Sequence, residues 1–305
     1  MCHLGQQLVF EEASETMKKL RGVEVTAKQI ERVSHYYGEE VVVDFPRQNE
    51  ENPKEICQWN APEAKTSPHY VMMDGTMILT REEKWKEVKL GRIFRAQSNV
   101  TVSENRNIIL HSKYVSHLGG HEEFLKHMEY YTDAIKEKIF IADGAKWIWS
   151  WVEMYYPDSV QILDFFHAKE HLCDYAKTRF SDPEAMHQWI EEQSQMLLND
   201  QVEQVIENIR KPPKKSMAEE KVSREKLITY YQGNLKRMKY KTFKDSGYVI
   251  GSGAMESAHR TVIQKRLKLS GQRWTKTGAQ QILNLRVAAK SDNWKNIIDL
   301  TRKAA

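Results

Sequence analysis

Residues 138–172 read KIFIADGAKWIWSWVEMYYPDSVQILDFFHAKEHL, and the fold follows from this stretch. Lys138–Ala142 is a short apolar run closed by Asp143-Gly144, the pattern of a buried strand bounded by a turn signal. Trp147–Tyr156 is an aromatic-rich helix, Val160–Leu163 a second buried strand, and His167–Arg179 a second helix by spacing. Strands alternating with helices in this way lie parallel.

Upstream the rhythm differs. Tyr70–Met73, Glu87–Ala96 and Asn107–Tyr114 are β-branched or aromatic runs, too closely spaced for helices between them and hence antiparallel; Glu122–Lys136 then has helical period. Three antiparallel strands followed by alternating helix and parallel strand is the element order of an RNase H-like α/β sheet. Downstream, residues 181–240 read as helical, broken by Lys-Pro-Pro-Lys-Lys at 211–215, and a sheet-covering helix resumes at Gly253–Leu267. At the N-terminus, Ala13, Met17 and Leu20 share one helical face, Gly22 interrupts, and Val25, Ile30, Val33 and Tyr37 resume after a Thr26-x-x-Gln29 capping box. That pair resembles a helix-turn-helix as well as an ordinary helical hairpin. The expected organisation is a helical segment at 1–43, a linker at 44–68, an RNase H-like core at 69–180 and 246–305, and a helical insertion at 181–245.

A chain of 305 residues, 40% hydrophobic and 29% charged, buries a real core. No apolar run reaches the roughly 18 residues that span a bilayer, and the N-terminus MCHLGQQLVF lacks a secretion signal, so a cytoplasmic, nucleoid-associated protein is expected. Three scattered cysteines, Cys2, Cys57 and Cys173, point neither to a disulfide framework nor to a four-cysteine zinc site. The net charge of +4 is unevenly spread: Lys211–Gln280 holds 17 Lys and Arg against 5 Asp and Glu, a local +12. A polyanion-binding surface needs such a block, because each neutralised phosphate releases counterions; a solvated lysine-rich face is the plainer alternative.

Asp74 follows the first strand in YVMMDGT, and Asp143 follows KIFIA. Ligands gather at strand ends in α/β sheets, although Asp-Gly is also the commonest tight-turn dipeptide. Glu256 stands in the first turn of the helix in GYVIGSGAMESAHR, where it suits the helix dipole and pairs in spacing with Arg260. The run Gly-Ser-Gly-Ala before it admits close approach of another backbone or of DNA. Three oxygen-donor acids suit two Mg²⁺ or Mn²⁺ ions, the set for in-line displacement at phosphorus. His167 and His171 have zinc-ligand spacing on a helix, but a helix-capping Asp164 with a hydrogen-bonding His167 explains them more simply. Trp147, Trp149 and Trp151 belong mostly to the core.

The motifs MMDGT, WKEVKLG, IADGA, DFFHAKEHL and IGSGAMES, then GQRW before GAQQILNLR, resemble the bacterial insertion-sequence transposases of the ISKra type, DDE enzymes distantly similar to Mutator-like elements. The resemblance runs from about Leu8 to Trp294. It implies that Asp74, Asp143 and Glu256 are converging DDE acids, that Asp164 and His167 form an Asp-x-x-His pair supporting the active site, and that the N-terminus is shortened. It further implies a transposase that cuts and joins double-stranded transposon ends and target DNA, as a homodimer or larger assembly. Arg260, Lys265, Arg266, Lys268, Arg273 and Lys276 are expected along the DNA, with Trp274 either stacked on an unpaired base or in the core. A DNA-binding derivative without catalysis, and an RNase H- or RuvC-like nuclease, remain alternatives; a glycosidase would leave the basic block without a role.

Overall fold

A computed structural model describes residues 1–51, 67–103, 106–212 and 218–303. The protein is a mixed α/β protein whose chain divides into two compact units, Met1–Lys138 with Ala254–Ala305, and Ile139–Gly253. No helix among the described residues is long and apolar enough to cross a membrane.

The first unit opens with three helices, α1 (Cys2–Gly5), α2 (Phe10–Arg21) and α3 (Ala27–Glu51). Gly22 ends α2 in the left-handed region at φ 63°, which only glycine adopts without strain. The Thr26 and Gln29 box forms as expected: the Gln29 amide oxygen accepts from the Thr26 N–H at 2.8 Å, and Thr26 Oγ1 accepts from the Gln29 N–H at 3.2 Å. Helix α3 continues past residue 44, where a linker was expected; residues 52–66 of that linker, with Cys57, and the Lys214-Lys215 end of the basic break lie outside the described residues.

Strands β1 (His69–Thr80) and β2 (Lys84–Arg95) form a long hairpin, and β5 (Lys113–Leu118) adds antiparallel to β2. Two expectations are corrected here. Strand β1 does not end at Asp74: the ladder runs on through Asp74 opposite Leu90 and Gly75 opposite Lys89, and the turn comes at 81–83. The predicted strand Asn107–Tyr114 is split. Its first part is β4 (Arg106–Ile109), which pairs with β3 (Asn99–Ser103) in a separate ribbon, and its end belongs to β5. Pairing partners, which periodicity does not specify, decide both cases.

Helix α4 (His121–Thr132) follows β5. The C-terminal part of this unit is α11 (Gly253–Ala258), a π-helical turn (His259–Gln264), α12 (Lys265–Leu267), α13 (Lys276–Lys290) and α14 (Trp294–Lys303). Gln280 on α13 accepts the Leu118 N–H at 2.7 Å and Ser291 Oγ accepts the Tyr114 N–H at 2.9 Å, so side chains occupy the outer edge of β5.

In the second unit β6 (Lys138–Ala142) and β7 (Val160–Leu163) pair parallel, from Ile139 opposite Val160 to Ala142 opposite Leu163. Helix α5 (Lys146–Tyr155) joins them and buries Ile148, Trp149, Trp151 and Val152. Then come α6 (Phe165–Arg179), α7 (Pro183–Leu198), α8 (Val202–Arg210), α9 (Ala218–Gln232) and α10 (Tyr240–Asp245). Tyr231 donates from α9 to the Ala168 carbonyl on α6 at 2.9 Å, and Tyr175 to Glu220 at 3.0 Å, both fully inside the helical layer.

Candidate active-site acids and their surroundings

In the first unit Asp74 lies mid-strand and half-exposed, its Oδ1 accepting the Gly75 N–H at 2.7 Å. Its Oδ2 stands 3.0 Å from Nε2 of His259, off the line of a straight hydrogen bond. His259 is buried and follows Glu256 by three residues, so the two belong to the same helical face. The π-turn begins at His259; such turns insert an extra residue and recur at functional sites. Glu256 is exposed in the first turn of α11. The start of that helix is fixed from below by Arg92 of β2, which donates from Nη1 to the Ala254 carbonyl at 2.7 Å and from Nε to Ser112 Oγ at 2.9 Å. The Arg92 guanidinium lies 5.4 and 5.3 Å from the Phe94 and Tyr114 ring centroids, and burial pushes its pKa down from the usual arginine value. Asp74 and the Glu256 helix thus meet through His259, on a frame set by Arg92.

In the second unit Asp143 and Asp164 follow directly on the paired ends Ala142 and Leu163, and the Asp164 N–H donates to the Ala142 carbonyl at 2.9 Å. The two acids have opposite environments. Asp164 is buried and caps α6: its Oδ1 accepts the Phe166 N–H at 2.8 Å, while its Oδ2 accepts the Ser252 N–H at 3.1 Å and the Ser252 hydroxyl. It therefore ties the loop 250–253 to the start of α6, helped by the Phe165 N–H on the Ile250 carbonyl at 2.9 Å. Asp143 is half-buried, its Oδ1 accepting the Ala145 N–H at 3.0 Å and its carbonyl the Trp149 indole N–H at 2.6 Å. His167 Nε2 stands 4.0 Å from Asp143 Oδ2, and His167 Nδ1 lies 3.6 Å from Glu170. The His171 ring packs on Tyr230 of α9 at 4.3 Å, and burial pushes its pKa below the usual histidine value.

The basic residues divide. Arg260, Lys265, Lys268 and Arg273 are exposed, with Lys268 Nζ donating to Thr76 Oγ1 at 3.0 Å, close to Asp74 along β1. Lys276 pairs with Glu83, whose carboxyl is held down at about 2 by hydrogen bonds from Lys276 and Lys86. Arg266 differs from what was expected of a DNA-facing set, while Trp274 takes the second of its two expected places, the core. Arg266 is 1% exposed, its guanidinium 4.8 Å from the Phe10 centroid and 4.7 Å from that of Trp274, with Nε donating to the Gly5 carbonyl at 3.0 Å. Burial, then the neighbouring Arg286, push its pKa down to about 10. Trp274 is buried, and its backbone bridges to the end of β1 through Leu79 and Arg81. Aromatic contact and helix packing removed these two from solvent, a tertiary outcome that charge counting does not register.

Among the described residues no three His, Cys, Asp or Glu side chains are gathered closely enough to hold a metal ion. Sequence reasoning missed His259, Arg92 and Tyr230. Glu256-x-x-His259 spacing was a usable signal for the first; nothing local marks an arginine inside a strand or a tyrosine on the fifth helix after Asp143 as site residues. No curated protein matches the chain. Residues 8–302, nearly the whole sequence, match the uncharacterised protein family UPF0236, and the chain belongs to that family.

Proposed function

We propose that this protein is a DDE-type DNA transposase with an RNase H-like core, in which Asp74, Asp143 and Glu256 hold two Mg²⁺ or Mn²⁺ ions while double-stranded transposon ends are cut and joined to target DNA. The observation that supports it most is the 3.0 Å approach of His259, one turn beyond Glu256, to Asp74. It brings Asp74 against the turn that directly follows the helix carrying Glu256, far away in sequence. Asp143, at the carboxyl end of a parallel strand pair, has the position at which α/β sheets collect ligands.

The residues suit such ions chemically. All three are hard oxygen donors of the kind such ions take; Glu256 is exposed, and Asp74 and Asp143 are half-exposed. When bound, two such ions activate an attacking water or 3′-hydroxyl and stabilise the leaving oxygen. The chain's own part is orientation. The β1–β2 ladder fixes Asp74, Trp149 and the Ala145 N–H fix Asp143, and Arg92 fixes the helix that carries Glu256. Asp164 supports the site by anchoring the loop that leads into α11. The exposed cations Arg260, Lys265, Lys268 and Arg273 meet phosphates, and a homodimer holds the two ends of one element.

The test is cleavage and joining of duplexes that carry the element's own ends. Asp74→Asn, Asp143→Asn and Glu256→Gln should each lower the rate about a thousandfold or more, because a metal-held charge supplies several kcal/mol and each 1.36 kcal/mol is tenfold. DNA affinity by fluorescence anisotropy should be nearly unchanged, since the phosphate contacts remain. Cutting without joining would assign the chain to the nucleases, and binding without cutting by the wild type would leave a non-catalytic DNA-binding protein.

A further inference from the structure

We propose that Tyr230, carried by α9 in the helical segment after β7, is a positioning residue for Asp143; this rests on Asp143 being one of the metal-holding acids. A Cβ built on Gly144 would stand 2.1 Å from Cε2 and 2.9 Å from Cζ of the Tyr230 ring. The ring therefore lies directly on the backbone that follows Asp143, and residue 144 has room only for hydrogen. The His171 ring holds Tyr230 in place, with centroids 4.3 Å apart. The Tyr230 hydroxyl stands over the same backbone, 2.9 Å from that Cβ position, and the ring edge makes the closer approach.

The rest of the 143–145 backbone is fixed by groups from its own neighbourhood, the Trp149 indole on the Asp143 carbonyl and the Ala145 N–H on the carboxylate. Tyr230 brings in a helix from some 87 residues downstream. The helical segment thereby acquires a role beyond bulk: it presses on the loop from which the Asp143 carboxylate projects, and a supporting contact of this kind is worth about 10- to 100-fold in metal affinity or activity.

The test combines three variants with two readouts besides cleavage. Tyr230→Ala should weaken Mn²⁺ binding to the DNA-free protein, followed by electron paramagnetic resonance, and lower the single-turnover cleavage rate, each by about 10- to 100-fold with DNA affinity unchanged. Tyr230→Phe should keep wild-type values. Gly144→Ala, which displaces the ring without deleting it, should reproduce the loss, and it decides the matter if Tyr230→Ala does not fold. In thermal melts Gly144→Ala should lower the midpoint of the wild type and leave that of Tyr230→Ala nearly unchanged. Unaltered Mn²⁺ binding in both Tyr230→Ala and Gly144→Ala, a loss in Tyr230→Phe as large as in Tyr230→Ala, or additive melting shifts would each overturn the proposal. A wild type that binds Mn²⁺ without cleaving DNA removes the transposase reading alone; one that binds no Mn²⁺ removes the positioning role as well.

Discussion

Asp74-Gly75 and Asp143-Gly144 are the same dipeptide after the same kind of apolar run, yet they occupy different structures. At Asp74 the opposing strand continues, and Leu90 and Lys89 extend the antiparallel ladder through both residues. At Asp143 the neighbouring strand stops at Leu163, opposite Ala142, so the chain turns into a loop held by Trp149 and capped by helix α5. The two glycines differ accordingly. A side chain at Gly75 would meet the carboxylate end of Glu87, a flexible and half-exposed group; one at Gly144 would meet the rigid ring of Tyr230. The dipeptide permits a turn, and the partner strand decides whether one forms.

Three changes break or sharpen this contrast. The largest effect is expected at the parallel end, where Asp143's neighbour Asp164 satisfies two backbone N–H groups and a hydroxyl from inside the protein. Asp164→Ala removes a helix cap and orphans buried donors, which should cost about 2–4 kcal/mol in urea unfolding. A loss below about 1 kcal/mol would mean that the strand end is held by other means.

The antiparallel strand should respond instead to acid at its base. His69, the first residue of β1, is buried, and burial lowers its pKa to about 4. It folds in the neutral form and has an ordinary pKa near 6.5 once unfolded. Its contribution is therefore complete above about pH 6.5 and falls away as the pH drops toward 4, by about 3 kcal/mol at that end. Urea midpoints measured between pH 7 and 4 should show this slope, and His69→Phe should flatten it. An unchanged slope in the variant would shift the acid sensitivity to other groups.

The smallest effect is expected for Gly75→Ala. Because Glu87 can swing away, the cost should be about 1 kcal/mol or less, set by loosening of the Glu87 pair with Lys89. A larger loss than that of Gly144→Ala would reverse the ranking of the two steps.

Several features were legible in the sequence because they are decided within a few residues. KIFIA and VQIL begin and end as strands where the apolar runs do, the Thr26 and Gln29 box closes, and Asp164 caps its helix, since each depends only on local period or on a side chain reaching its own backbone. The lysine-rich tract was visible as a count. Tertiary structure decided the rest: that β1 runs through Asp74, that the 107–114 run divides between the β3–β4 ribbon and the sheet of β1 and β2, that Arg266 is stacked between Phe10 and Trp274, and that His259 reaches Asp74. These depend on contacts between residues distant in sequence, and hydrophobic burial selects among them by which surfaces fit, a quantity that spacing along one segment does not contain.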